Sequence, residues 1–341
     1  MAARRGLDRR WDESDAKYRP SKRSRPRSKD RPAHKDAEFG MVVSRDRGRW
    51  GVVLDKPKDG EQVELNCMRA REMGRTAVVV GDRVGVVGDT SGRKDTLARI
   101  VKLEDRTSIL RRTADDTDPY ERIVVANADN LLIVTAVADP PPRAGFVERA
   151  LIAAFVGGLH PILCLTKSDL ADPEEFAAEF VDLGLEVLTT GIDDDLDQLQ
   201  QAIGGEVSAT VGHSGVGKST LVNRLVPNAD RATGEVSGVG KGRHTSTQSV
   251  ALRLPYDDGG WIIDTPGIRS FGLAHVDPDT VINVFDDLHE VVQDCPRGCT
   301  HSGPPADPEC ALDTLEGTSA RRVTAVRQLL EALRSNNEWE L

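Results

Sequence analysis

The run Gly212-His213-Ser214-Gly215-Val216-Gly217-Lys218-Ser219 has the make-up of a loop that holds phosphate. Glycines at 212, 215 and 217 let the backbone bend against a pyrophosphate and turn its N–H groups inward. Lys218 would then reach the β and γ phosphates, and the Ser219 hydroxyl, followed by Thr220, would ligate Mg²⁺. A second run, Thr166-Lys167-Ser168-Asp169, is suited to guanine. The Asp169 carboxylate would accept the N1–H and the exocyclic amine as a two-pronged pair while the Lys167 stem covers the ring, and adenine offers no such pair of donors. Asp264-Thr265-Pro266-Gly267 supplies a third part, with Asp264 for the Mg²⁺ shell and the Gly267 N–H for a γ-phosphate. Residues 227–248, rich in Gly and Ser without an apolar period, have the composition of a loop ordered by the γ-phosphate. Thr245 and Thr247 there both offer an Mg²⁺ hydroxyl, and the sequence does not choose between them. Leu188-Thr189-Thr190-Gly191 is a weaker candidate for a loop against the base.

These motifs need strand ends and a helix N-terminus to aim them. Residues 207–211 read as a buried strand feeding the phosphate loop, and 218–226 as a helix whose N-terminal dipole faces the phosphates. Strands at 131–136, 161–165 and 186–189 alternate with helices at 146–156, 174–182 and 196–203, the pattern of a doubly wound parallel sheet with its site at the strand C-terminal ends. The base motif precedes the phosphate loop in the chain, the reverse of the ordinary GTPase order, so the sequence reads as a circularly permuted GTPase. Permutation preserves a compact core because its chain ends commonly lie close together. It also ties the segment after Asp264 to whatever folds downstream, which implies nucleotide-gated movement of a C-terminal domain.

Downstream stand Cys295, Cys299, His301 and Cys310, three sulfurs and an imidazole within sixteen residues. A Cys₃His set suits tetrahedral Zn²⁺ in a closed, structural site. The rival reading, disulfides, is disfavoured by the odd total of five cysteines, with Cys67 and Cys164 far away, and by the lack of a secretory signal. Segments 280–292 and 320–333 read as helices packed around this loop.

Charge is unevenly distributed. Residues 1–37 carry a formal +7 and the remainder −17, within a net charge of −10. The Arg-, Pro- and Ser-rich arm lacks the apolar residues to fold alone and is expected to be disordered and drawn to RNA phosphate. Between 41 and 87 the expectation is five short strands (41–43, 50–54, 62–66, 77–80 and 83–87), the content of a small OB-type barrel. Arg45, Arg47, Arg49 and Trp50 form a candidate RNA patch there, with plain solvated surface as the alternative. The longest apolar run, 131–138, is too short to span a membrane.

Taken together, these motifs, with Lys241-Gly242-Arg243-His244-Thr245-Ser246-Thr247, resemble the RsgA (YjeQ) family of GTPases that depend on the small ribosomal subunit. Beyond the disordered basic tail read from its charge (1–37), the resemblance implies a multi-domain chain: an OB-fold β-barrel (38–112), a circularly permuted α/β P-loop GTPase domain (113–273) and a small helical zinc-binding domain (274–341). It also implies late maturation of the small subunit as the function, GTP or GDP, the small subunit and its rRNA as partners, and Mg²⁺ and one Zn²⁺ as cofactors; a cytoplasmic location is expected, with a monomer as the default. The first gap among the zinc ligands is shorter than in the family and the last longer, which leaves Cys310 the least secured of the four. Many GTPases keep a water-orienting Gln just after the Asp-x-x-Gly motif, but here that position is Ile268, so hydrolysis should be slow until another group acts. His244, on the loop beside the Mg²⁺ hydroxyls, is the candidate, with Lys218 the second catalytic group. Two other classes stay open at this level: a P-loop ATPase or kinase, and a nucleotide-holding RNA scaffold.

Overall fold

A computed structural model describes residues 34–57, 62–74, 76–93, 95–113, 122–227, 248–265, 267, 268, 271, 273 and 276–334. The chain divides into two units, Met1–Lys35 and Asp36–Leu341, and every element below belongs to the second. The basic arm of residues 1–33, the loop bearing His244, Thr245 and Thr247, and Pro266 lie outside the described residues.

The first five strands are β1 (Glu38–Asp46), β2 (Arg49–Leu54), β3 (Glu64–Arg69), β4 (Arg83–Gly88) and β5 (Ala98–Leu103), closed into a barrel in the order β1-β2-β3-β5-β4. Alternation decides what fills it. Val42, Val52, Leu65, Val84, Val86 and Ile100 point inward and are almost wholly buried.

One expected strand, 77–80, is instead a loop. Its polar groups are taken by side chains: the Val79 N–H donates to Asp82 Oδ2 at 2.7 Å, the Val78 carbonyl accepts from Trp50 Nε1 at 3.1 Å, and Arg106 donates to Ala77 O at 2.8 Å. Arg106 also grips the fully buried Asp82 carboxylate at 2.7 and 2.9 Å, so the charge is paired where it is desolvated. The fifth strand is β5, which pairs in parallel with β3 and antiparallel with β4. Trp50 is correspondingly a core residue, 6 % exposed, with the Arg45 and Arg69 guanidinium groups over its ring at 6.0 and 5.7 Å. The candidate patch therefore loses its stacking aromatic, while Arg45, Arg47 and Arg49 are exposed.

A ribbon of β6 (Ile109–Arg112) and β7 (Arg122–Ala126), not foreseen from the sequence, leads into the main sheet. That sheet contains β8 (Asn130–Ala136), β9 (His160–Thr166), β10 (Glu186–Thr190), β11 (Val207–Val211), β12 (Val250–Arg253) and β13 (Trp261–Asp264), in the order β10-β9-β8-β11-β13-β12. All pairs are parallel except β12 with β13. Helices α1 (Ala144–Gly157), α2 (Glu174–Ala178), α3 (Asp197–Ile203) and α4 (Lys218–Leu225) provide the crossovers.

Both sheet faces are covered, which is why β8 is an unbroken apolar run. Leu131 and Ile133 join one core with Leu151 and Ile152 of α1, while Leu132 and Val134 join another with Leu199 of α3 and Leu221, Val222 and Leu225 of α4. Each such Leu or Ile contributes about 1.5–3 kcal/mol relative to exposure. The chain winds from β8 outward to β9 and β10, then returns to β11 on the other side of β8. The switch point thus lies between β8 and β11, where folds of this type open a crevice at the strand C-terminal ends.

Among the described residues three α-helices follow: α5 (Pro278–Ile282), α6 (Asp286–Val292) and α7 (Gly317–Arg334). The helix expected over 280–292 breaks in two because Phe285 adopts extended backbone and buries its ring against Phe155, 5.4 Å away. Val323, Val326, Leu329, Leu330 and Leu333 form the buried face of α7 and share a core with α1. Among the described residues no helix is long and apolar enough to cross a membrane.

Candidate nucleotide site and metal centre

The phosphate loop leaves β11 and enters α4 through two left-handed glycines, Gly215 at φ 86° and Gly217 at φ 89°, a conformation that side chains other than glycine rarely adopt. Gly212 has a different reason to be glycine: a Cβ there would meet the Val134 carbonyl oxygen of β8 at 2.5 Å. Ser214, Ser219 and Thr220 are exposed on the loop and first helical turn, whereas Val216 points into the core. The His213 ring packs on Phe146, with centroids 4.3 Å apart.

At the end of β13 the Asp264 carboxylate accepts from Lys218 Nζ, which also donates to Thr265 O at 2.5 Å. The third and first motifs therefore meet at one ammonium group. Thr265 is buried, with its hydroxyl on Thr210 O at 2.5 Å, so Asp264 projects from a fixed strand end. Gly267 follows, and Ile268 is 1 % exposed in the core. These oxygen donors, Ser219 and Asp264, are of the hard type that Mg²⁺ takes.

The base motif stands at the end of β9, next to the phosphate loop. Thr166 is buried and its hydroxyl donates to Val216 O at 2.5 Å, so the first residue of one motif holds the backbone of the other. Lys167 takes a left-handed backbone, φ 62°, and its ammonium donates to Asp139 O. Asp169 Oδ1 accepts the Ile192 N–H at 3.2 Å. Gly191 is pressed against Ser168 and Asp169, since a Cβ on it would lie 3.3 Å from the Ser168 hydroxyl and 3.1 Å from Asp169 Oδ1. The 188–191 segment expected near the base is therefore beside Asp169.

Two further groups there were invisible to motif reading. Asp194 Oδ2 accepts from the Gly191 N–H at 2.6 Å and from Ser168 Oγ at 3.4 Å. Arg224, on α4, donates to Gly191 O at 3.0 Å and to Asp194 O. The run Asp193-Asp194-Asp195 and a lone arginine on a surface helix carry no spacing signature that could have marked them.

Cys295, Cys299, His301 and Cys310 converge between α6 and α7, with their ligand atoms all within 4.8 Å of one another. A tetrahedral ion with Zn–S near 2.3 Å needs ligands about 3.8 Å apart, so the four fit one. All five cysteines are free thiols. Cys310, the ligand at the irregular spacing, is drawn in with the others and is 3 % exposed. His301 turns Nδ1 toward Cys295 and Cys299, at 3.5 and 3.6 Å, and its Nε2 lies 3.0 Å from Asp279 Oδ1 on α5. A carboxylate behind the imidazole fixes ring orientation and leaves the other nitrogen for metal. Arg327 on α7 donates to His301 O at 2.9 Å and reaches Cys310 Sγ at 3.6 Å. Burial and then the neighbouring sulfurs, Cys310 among them, push the Cys299 thiol up to about 12, and burial raises Cys295 as well. Crowded thiols resist ionising together, and a bound cation would relieve that cost. Asp279 and Arg327 were not foreseen, being distant in sequence from the ligands they hold.

The RsgA GTPase family model matches residues 103–274. Among curated proteins, the small ribosomal subunit biogenesis GTPase RsgA of Gemmatimonas aurantiaca is 35 % identical over 280 residues, covering 80 % of this chain and 89 % of its own length. Its counterpart from Pseudomonas aeruginosa is 34 % identical over 328 residues, 91 % of each chain. Of solved structures, YloQ, described as a circularly permuted GTPase, aligns with TM-score 0.60 at 20 % identity over 89 % of this chain and 98 % of its own. YjeQ from Thermotoga maritima aligns with TM-score 0.60 at 22 % identity over 86 % and 98 %. The fold is thus that of a circularly permuted GTPase, and the chain belongs to the RsgA GTPase family.

Proposed function

We propose that this chain is a GTP hydrolase acting in biogenesis of the small ribosomal subunit, as its relatives are named to be. The observation that carries the nucleotide reading is the Thr166 hydroxyl on the Val216 carbonyl at 2.5 Å, which puts a guanine-type motif and a phosphate loop on one rigid edge despite their reversed order. In this reading the amides of 212–217 and Lys218 hold the β and γ phosphates. Asp169 accepts the guanine N1–H and amine, and Lys167 covers the ring. Ser219, Asp264 and a hydroxyl from Thr245 or Thr247 hold Mg²⁺, which when bound neutralises phosphate charge. The buried Ile268 cannot orient a water, so His244 takes that role once the chain is docked on the ribosome. Cys295, Cys299, His301 and Cys310 hold a structural Zn²⁺, supported by their soft donor set and mutual distances. The chain works as a monomer with rRNA among its contacts.

The test is GTP turnover with and without purified small subunits. Stimulation of about 10³-fold is expected, as activating partners supply in other GTPases. Unchanged turnover would remove the ribosome from the reading. Asp169→Asn should abolish preference for GTP over ATP, and retained preference would remove Asp169 from base recognition.

A further inference from the structure

We propose that Arg224 is a positioning residue for guanine selectivity, linking the phosphate-binding helix to the loop that aims Asp169. This rests on the GTPase reading and deepens it. Arg224 lies on α4, six positions beyond Lys218, so the two are rigidly related through one helix. Its guanidinium donates to Gly191 O at 3.0 Å, to Asp194 O, and to Thr190 Oγ1 at 3.4 Å. From the other side Asp194 Oδ2 accepts the Gly191 N–H at 2.6 Å, fixing the same peptide units. The next amide, Ile192 N–H, donates to Asp169 Oδ1 at 3.2 Å. A continuous chain of contacts thus runs from α4 through residues 190–194 to the carboxylate proposed to read the base.

The segment is anchored at its ends by Thr190, paired with Thr166, and by Leu196 in the core, and Ser168 Oγ donates to Asp194 Oδ2 at 3.4 Å, but its middle is open. Thr190, Asp194, Asp195 and Leu196 line a cavity of about 250 Å³ floored by Cys164 and Leu199, and Ile192 is 65 % exposed. Between these ends, residues 192–195 are exposed and held by polar ties. Without Arg224 the 190–194 segment has room to shift, and the Asp169 oxygen loses its fixed orientation. The two-pronged hydrogen bond to guanine depends on that orientation, whereas phosphate binding by Lys218 and the loop amides does not.

The experiment measures affinities for GTP, ITP and ATP on the full chain, as wild type, Arg224→Ala and Arg224→Lys. ITP lacks the amine that Asp169 would hold. Arg224→Ala should weaken GTP about ten-fold, the scale of one charge-assisted hydrogen bond, ITP by less because it keeps only the N1–H for Asp169, and ATP by less than about two-fold. Arg224→Lys should recover part of the loss, since one ammonium reaches fewer of the three oxygens. Equal loss for GTP and ITP, or unchanged GTP:ITP selectivity in a wild type that prefers GTP to ATP, overturns the proposal alone. A wild type indifferent to GTP and ATP overturns the guanine reading beneath it. If Arg224→Ala does not fold, unchanged GTP:ITP selectivity in Arg224→Lys also refutes the proposal.

Discussion

Removing the Asp279 carboxylate should weaken metal binding by the Cys295/Cys299/His301/Cys310 cluster without touching a ligand. The Asp279 oxygen lies 3.0 Å from His301 Nε2, and the imidazole is buried with Nδ1 facing Cys295 and Cys299. Loss of such an outer partner costs 10–100-fold in metal affinity in characterised sites. The Asp279 side chain is 59 % exposed, so water competes for the same N–H and the loss belongs at the lower end. About ten-fold, or ~1.4 kcal/mol, is expected for Asp279→Ala. Asp279→Asn keeps an accepting oxygen but no charge and should fall in between. Competition between the purified chain and a chromophoric chelator for Zn²⁺ at neutral pH measures the effect. If Asp279→Ala binds Zn²⁺ as tightly as wild type, the carboxylate does not orient the imidazole, and the reasoning from geometry to affinity fails.

Two further outcomes follow from the described contacts. Burial pushes the Glu64 carboxyl up from 4.5 to about 7, and its Oε1 has no hydrogen-bond partner among the described residues. The folded chain holds this proton up to about pH 7 while the unfolded chain releases it near 4.5, so stability falls as pH rises between those values and levels off above. Glu64→Gln should remove that slope and stabilise the barrel by up to about 3 kcal/mol at pH 8 but little at pH 4. Denaturant midpoints for both chains at the two pH values measure this, and an equal difference at both would contradict it. Gly212→Ala places a Cβ 2.5 Å from a backbone oxygen of β8, so the strand or the phosphate loop must move. A stability loss of about 1–3 kcal/mol and weakened nucleotide binding are expected, and a calorimetric melt with normal GTP affinity would show that the loop accommodates the methyl.

The sheet was legible because its strands are buried on both faces and its helices carry regular apolar stripes, so periodicity alone located β8, β9, β10 and β11. The phosphate and base motifs were legible for a different reason: their chemistry needs contiguous residues. What escaped depends on long-range partners. The loop at 77–80 has the β-branched composition of a strand, yet Asp82, Arg106 and Trp50 take its polar groups. β5, with Arg99 and Lys102 breaking its apolar run, reads as surface until β3 and β4 flank it. Asp279, Arg224 and Arg327 act through backbone or second-sphere contacts tens of residues away, and residue type alone assigns such side chains to solvent. Trp50 illustrates the opposite error, an aromatic beside arginines whose ring fills a barrel rather than facing RNA.

The permuted order has a mechanical consequence visible in the packing. After Asp264 no further sheet strand occurs among the described residues; Ile268, Phe271 and Leu273 sink into the core shared by α1 and α7, and α5 begins at Pro278. Fifteen residues after the carboxylate that meets Lys218 stands Asp279, which faces the His301 imidazole of the cysteine cluster. The two ends are also linked through space, because His213 of the phosphate loop packs on Phe146, and Phe146 lies 5.7 Å from Phe271. Interiors packed at crystalline density do not absorb a shift locally. His213, Phe146 and Phe271 thus join the phosphate loop to the core shared with the helices that frame the cysteines. In the ordinary chain order the same segment would lead back into the GTPase sheet. Here it leads to the Cys295/Cys299/His301/Cys310 cluster, so the chain gives Asp264 a covalent and packed connection to that part of the molecule.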